Sequence, residues 1–352
     1  MVRGSPLARY LFAAYLGLVV YASLHPFAGW RDQGLHAFAY LGAAWPRYVT
    51  AFDLVANLVA YFPLGALALL AGYPRLRGAV AVAVATVAAA LVALLLEAAQ
   101  TYLPERIPSN LDLACNAAGA ALGALLAWRL APWLLASGPL RRARHALLRH
   151  GALADAGLVL LGLWLFTQLD PTTLLFGAGD LRHLMELEHG RARLPGFFVA
   201  VETLIAAANA AAIALLLSSI TQGDSLSRLA VPVLILAALA VRTAAFAILM
   251  RAEDVFAWLT RGAAQGLIAG IVLAYAAMAL PRTAKLGLAA VLLMGATVLV
   301  NLAPPNPYMD ATLKVWQQGH FLNFNGLTRL VSALWPFAAL TYAIALAARG
   351  PR

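Results

Sequence analysis

One cysteine, Cys115, occurs in 352 residues, so neither a disulfide framework nor a cysteine-ligated zinc site can be assembled. Charge is scarce: Asp, Glu, Lys and Arg make up 11% of the chain, where soluble domains carry about a quarter. That excludes a water-soluble enzyme. Acids are the scarcer sign, 15 against 25 Lys and Arg, for a net charge of +10. Glycine, proline and polar tracts are too few for a disordered or collagen-like chain. There is no Walker loop and no Rossmann glycine fingerprint, so no nucleotide cofactor is expected. The basic excess reads as the arginines that membrane proteins keep in cytoplasmic loops, and a nucleic-acid partner is not expected.

What is abundant is apolar. Hydrophobic residues make up 63% of the chain, and the mean hydropathy is +0.80. A helical span needs about 20 mostly apolar residues. Ten segments qualify: 8–24, 54–72, 79–99, 112–131, 153–169, 197–219, 229–250, 262–280, 285–303 and 329–348. They are runs of Ala, Leu and Val without strand-like alternation, so helices are expected rather than a barrel. The fold class is therefore all-α, a polytopic transmembrane bundle of about ten helices. Segment 229–250 contains Arg242. An arginine at that depth costs about 3 kcal/mol on insertion scales, so it must face a partner or a wet cavity. Arg3 and Arg9 precede the first apolar run as in a signal peptide, but Tyr21–Ala22–Ser23 is a poor cleavage site, and an uncleaved first helix is expected.

Alternating the spans from an inside N-terminus puts both termini in the cytoplasm. Arg3, Arg9, Arg75, Arg77, Arg129, the run Arg141–His150, Arg228, Arg282, Lys285, Arg349 and Arg352 then fall inside, as the positive-inside rule requires. The run Arg141–His150 suits phospholipid headgroups. It divides the chain into residues 1–135, a basic loop 136–152, and a region 153–352 of unassigned role. The outside segments 25–52, 100–111, 171–196, 251–261 and 304–328 are expected at the membrane surface. Within them Gln33–Tyr48 has helical apolar spacing (Leu35, Phe38, Leu41, Trp45) suited to an interfacial helix.

Three of the first four helices carry a polar pair near one end: Asp53 with Asn57, Glu97 with Gln100, and Asp112 with Asn116. Spacings of three or four place each pair on one helical face. Arg106 lies in the short connection between the third and fourth helices. The expected topology gathers Asp53, Asn57, Glu97, Gln100, Arg106, Asp112 and Asn116 into one outward-facing cluster. For Asp53 and Asp112, capping at helix N-termini is an equal alternative, and Ser109–Asn110–Leu111–Asp112 resembles a capping box with Asp for Glu. Glu97 approaches a helix C-terminus, where the dipole disfavours its charge. Arg106 is its expected compensator, directly or through Asp112. Asn57 and Asn116 could equally be interhelical hydrogen-bond partners. Pro63 should kink the second helix. Gly119–Ala120–Ala121–Leu122–Gly123 reads as a close-packing motif.

These motifs, in this order, resemble the VanZ family. The carrying residues are Asn57–Leu58–Val59–Ala60–Tyr61–Phe62–Pro63–Leu64–Gly65, then Glu97–Ala98–Ala99–Gln100, then Arg106, then Asp112, Asn116, Gly119 and Gly123, within roughly residues 10–135. Many members have an acid just before the Asp–x–x–x–Asn motif. Here Ser109 and Asn110 stand there, and His25 alone adds little, so no metal site is expected. The resemblance implies a multi-pass protein of the bacterial cell envelope, in the inner membrane, in a family linked by name to glycopeptide (teicoplanin) resistance and without an established chemistry.

Three functions fit these residues. In the first, the cluster binds or modulates a lipid-linked envelope precursor or glycan, with Arg106 supplying charge-assisted donors and the amides binding hydroxyls. In the second, the protein is an intramembrane enzyme on such substrates, with Glu97 as general base and Asp112 as partner acid. In the third it is a lipid or solute transporter, supported by Pro63, Arg242, Glu202, Asn209 and Asn301. The first is the principal reading, with membrane lipids as expected partners. In the second half, the aromatic, amide-rich segment Asn301–Arg329 reads as an interface belt, with a turn at Asn323–Phe324–Asn325–Gly326 before the last helix.

Overall fold

The computed structural model describes residues 4–46, 50–182, 194–250, 254–304, 306 and 322–349. Each predicted span is helical. The helices are α1 (Pro6–Leu24), α2 (Ala51–Gly72), α3 (Gly78–Gln100), α4 (Asn110–Ala131), α5 (Pro139–Leu147), α6 (Ala152–Thr167), α7 (Pro195–Ile220), α8 (Asp224–Leu249), α9 (Arg261–Ala277), α10 (Arg282–Leu302) and α11 (Leu322–Ala348). Eight are long and apolar enough to cross a membrane, while α6 and α9 are shorter apolar helices. The basic α5 is not a span. The chain is a polytopic helical membrane protein, and it divides into two compact units, residues 1–146 and 147–352.

The first unit packs inside-out relative to a water-soluble bundle. Along α3, Ala81, Ala85, Ala89 and Ala93 recur every fourth residue and are buried, while Val80, Val84, Val87, Leu91 and Leu95 are exposed. Water would drive the large side chains inward. In lipid there is no such drive, and small residues line the contacts because they let backbones approach. The approach is closest between α2 and α4. A Cβ on Gly119 would overlap the carbonyl of Leu58, one on Gly123 that of Phe62, and one on Gly65 the backbone of Ala120. α2 stays helical through Pro63.

The predicted interfacial helix does not form. Between Gln33 and Pro46 there is only a 3-10 turn, Ala39–Gly42. An Asx turn, in which Asp32 accepts from Gly34 N at 2.9 Å, and a positive φ of 73° at Gly34 interrupt any helix. Side-chain to backbone bonds then tie the segment to the end of α3. Gln33 donates to Thr101 O, Thr101 to Ala37 O, and Tyr40 to Leu94 O. Leu35, Phe38, Leu41 and Trp45 remain exposed.

In the second unit α7 is the central helix, buried almost continuously from Ile205 to Ile220. Gly262, Gly266 and Gly270 let α9 lie directly on it. At 1.5 Å per residue, α6 spans only about 24 Å of a hydrocarbon core of about 30 Å. The chain continues as a non-helical segment, 168–181. Within it Asp170, Leu175, Phe176 and Ala178 are all buried. Buried irregular backbone needs protein partners for its polar groups, and here three helices supply them. On α8, Arg242 donates to the carbonyls of Asp170 and Thr173 and to Thr173 Oγ1. On α10, Asn301 donates to Gly179 O at 2.7 Å and accepts from Leu181 N at 2.8 Å. On α11, Ser332 O accepts from Gly179 N at 2.9 Å. The partner demanded for Arg242 is thus a set of backbone carbonyls. The run Pro307–Phe321 lies outside the described residues. The predicted Asn323–Gly326 turn is the first turn of α11.

Candidate functional site

The polar residues singled out in the first four helices collect at one end of the first unit, where α1 and α3 end and α2 and α4 begin. Three of them, Glu97, Gln100 and Arg106, bond the exposed backbone end of another helix. The first residues of a helix leave N–H groups unpaired and the last leave carbonyls, and inside a membrane neither can be left to solvent.

Glu97, 6% exposed near the end of α3, accepts a hydrogen bond from Ser109 N at 2.9 Å. Ser109 is the N-cap of α4, and its hydroxyl accepts from Leu111 N and Asp112 N. In an ordinary capping box the acid three residues on would return the bond to the N-cap N–H. Here Glu97 does so from another helix. This corrects the expected pairing of Glu97 with Arg106: the carboxylate lies at the positive end of the α4 dipole, which offsets its misplacement at the negative end of α3. Among the described residues no ion pair joins Glu97 to Arg106.

Relieved of the box, Asp112 accepts from Asn57 Nδ2 at 2.8 Å, linking α4 to α2. Arg106 donates instead to the carbonyls of Ala22 (3.3 Å) and His25 (2.8 Å), at the C-terminal end of α1. A cation there complements the dipole. Burial draws the Arg106 guanidinium below its ordinary pKa, with nearby Glu105 and Glu97 opposing. Gln100 donates to Ser23 O at 2.9 Å, also at the end of α1. Burial, and secondarily the charge of Glu97, raise the pKa of Tyr40. Asp53 is exposed and forms a complete capping box with Thr50 of its own helix end. Asn116 is buried, and its Oδ1 has no hydrogen-bond partner; His25 Nδ1 is likewise buried and unpartnered. Among the described residues no group of three or more His, Cys, Asp or Glu side chains is placed to hold a metal ion.

A prediction separates capping from general-base chemistry. Glu97→Ala leaves Ser109 N–H unpaired and should lower stability by about 1–3 kcal/mol. Glu97→Gln keeps an acceptor oxygen and should stay within about 1 kcal/mol of wild type. Thermal unfolding in detergent reads both. Equal losses in the two variants would contradict the capping role.

The residues that sequence alone missed are mostly backbone groups: the carbonyls at the end of α1 and the Ser109 N–H. The available signal was the position of each polar side chain, within one turn of a helix end.

Comparison with curated proteins and with solved structures gives no match. Comparison with protein families does: residues 10–134, which supply the four long helices and every residue of this capping network, match the family described as VanZ/LLP1, in agreement with the order of the motifs.

Proposed function

We propose that the first unit is an envelope recognition module of the bacterial inner membrane. The helix-end cluster would hold the polar headgroup of a lipid-linked precursor or glycan. The observation that carries this reading is the pair of buried, unpartnered atoms, Asn116 Oδ1 and His25 Nδ1, within an otherwise satisfied network. A buried acceptor without a donor costs about 1–3 kcal/mol, and a sugar or phosphate-ester hydroxyl would relieve it. Asn116 sits one turn beyond Asp112, beside the α2–α4 contact, where a headgroup would add a donor to groups already fixed in place. The catalytic alternative is weaker, because Glu97 is committed to Ser109 N–H. Teicoplanin susceptibility would then be a downstream effect of occupying such precursors.

The test uses detergent-solubilised protein and a polyprenyl-phosphate-linked sugar, read by native mass spectrometry. Asn116→Val removes the orphan acceptor and breaks no hydrogen bond made by the cluster. The expected result is an adduct on wild type that Asn116→Val loses while its unfolding temperature is unchanged or higher. An adduct of equal strength on both proteins would refute the reading. Glu97 and Arg106 are poorer test positions, because their loss would loosen the helix ends themselves.

A further inference from the structure

The second unit contains a cavity of about 1060 Å³ whose lining holds basic and apolar residues and no acid. Arg149, Arg282 and Arg349 supply the charge, His150 and Gln222 are polar, and Leu153 and Ile220 are among the apolar residues of the wall. Like charges around one space repel each other, and a bound anion relieves that repulsion. Here Arg149 and Arg282 lie near enough to repel each other. Arg282 Nε is buried without a hydrogen-bond partner. Arg149 is held by donating Nε to Thr221 O at 3.2 Å and its backbone N–H to Ile220 O at 2.8 Å.

Backbone charge adds to the side chains. Gly151, the N-cap of α6, and Gly223, the N-cap of α8, both line the cavity, and neither helix has a side-chain cap. Two helix N-termini therefore bring N–H groups and positive dipole ends to the same space. Asp155 is buried and is not part of the lining, and Asp224 is exposed and bonded to Lys285 at 3.2 Å.

We propose that this cavity is a binding site for a phosphate-bearing anion, held by Arg149, Arg282 and Arg349. Guanidinium forks match phosphate oxygens two at a time. The chemistry is common to a phospholipid headgroup and to free phosphate. The apolar wall fits the first, since an acyl chain could follow it away from the headgroup.

The test uses the full chain in a zwitterionic detergent, with phosphatidylglycerol, phosphatidylcholine and inorganic phosphate as separate probes. Native mass spectrometry counts bound lipid, and thermal unfolding reports protection. Phosphatidylglycerol is expected to bind and raise the unfolding temperature, with phosphatidylcholine weaker by about tenfold. Saturable protection by inorganic phosphate alone would assign the site to the free ion, and protection by phosphatidylglycerol alone would assign it to the headgroup. The Arg149→Gln/Arg282→Gln/Arg349→Gln variant should lose whichever protection wild type shows. Arg142→Gln removes an exposed charge outside the cavity and should change nothing. Arg349 is exposed, so Arg349→Gln alone should fold and still weaken binding by about threefold, which decides the matter if the triple variant does not fold. No protection by either phosphate probe, or an equal loss in Arg142→Gln, would overturn the proposal.

Discussion

Replacing Arg242 with methionine should destabilise the second unit by about 3–5 kcal/mol, the cost of removing one partner from a buried charged network. Arg242 is 1% exposed and lies in the middle of an apolar helix. Its guanidinium holds the carbonyls of Asp170 and Thr173 together with the Thr173 hydroxyl. The Phe246 ring lies 5.2 Å from the guanidinium carbon. Methionine fills similar volume but leaves those carbonyls without donors in a region that water does not reach. Each unpaired carbonyl costs about 1–3 kcal/mol. The charge balance fails as well, because Asp170 and Glu202 both interact with Arg242. Arg242→Lys should fall between the two, since an ammonium cannot span two carbonyls as a planar fork does. Thermal unfolding in detergent, with the two substitutions side by side, gives the order wild type, lysine, methionine. Wild-type stability in Arg242→Met would mean that segment 168–181 is held by other contacts.

That network shows where the sequence was legible and where it was not. Hydropathy alone located the apolar helices, because a run of Ala, Leu and Val of span length has few other places to go; the basic α5 carried no such signal. It located them in the second unit as well, where no family resemblance helped. The period of the small residues is equally legible at Gly119 and Gly123, and the stripe Gly262–Gly266–Gly270 carries the same signal. Segment 168–181 was not readable, because Pro171, Gly177 and Gly179 look like any surface turn. What makes the turn an interior one is Arg242, distant in sequence, and nothing in a linear reading joins the two. A stranded arginine and a helix too short to span were two halves of one signal.

At the candidate site the residue identities were legible and their partners were not. Sequence spacing brought Asn57, Glu97, Gln100, Arg106 and Asp112 to one end of the bundle. It then paired charge with charge, Glu97 with Arg106. The folded chain pairs charge with backbone instead. Arg106 meets the carbonyl end of α1, and Glu97 meets the N–H end of α4. In a membrane this is the stronger demand, since four N–H or C=O groups are left over at each helix end, and those within the hydrocarbon must be met inside the protein. The same constraint explains why Asn57 bonds Asp112: with Ser109 N–H taken by Glu97, the Asp112 carboxylate needs a donor of its own.

The second large effect should come from the smallest residues. Gly123→Val places a branched side chain where the Cβ alone already overlaps the carbonyl oxygen of Phe62. The obstacle is backbone in an adjacent helix, not a side chain that can change rotamer, so α4 must move away from α2. Overpacking of this kind costs about 3 kcal/mol, the upper part of its usual range. Relaxation does not come cheaply, because Gly119 against Leu58 and Gly65 against Ala120 lock the same face along its length. The consequence reaches the site, since the 2.8 Å bond between Asn57 and Asp112 joins those two helices at the end of that contact. Gly123→Val should therefore lower the unfolding temperature and also abolish any adduct that depends on Asn116, which lies on α4 between them. Gly17→Ala is the control. A Cβ there meets nothing within 4 Å, and in a helix interior alanine is favoured over glycine by about 0.5–1 kcal/mol. Its unfolding temperature should equal or exceed that of wild type. Were Gly123→Val as stable as Gly17→Ala, α2 and α4 could not be in backbone contact, and the geometry that aligns the capping residues would have to be redrawn.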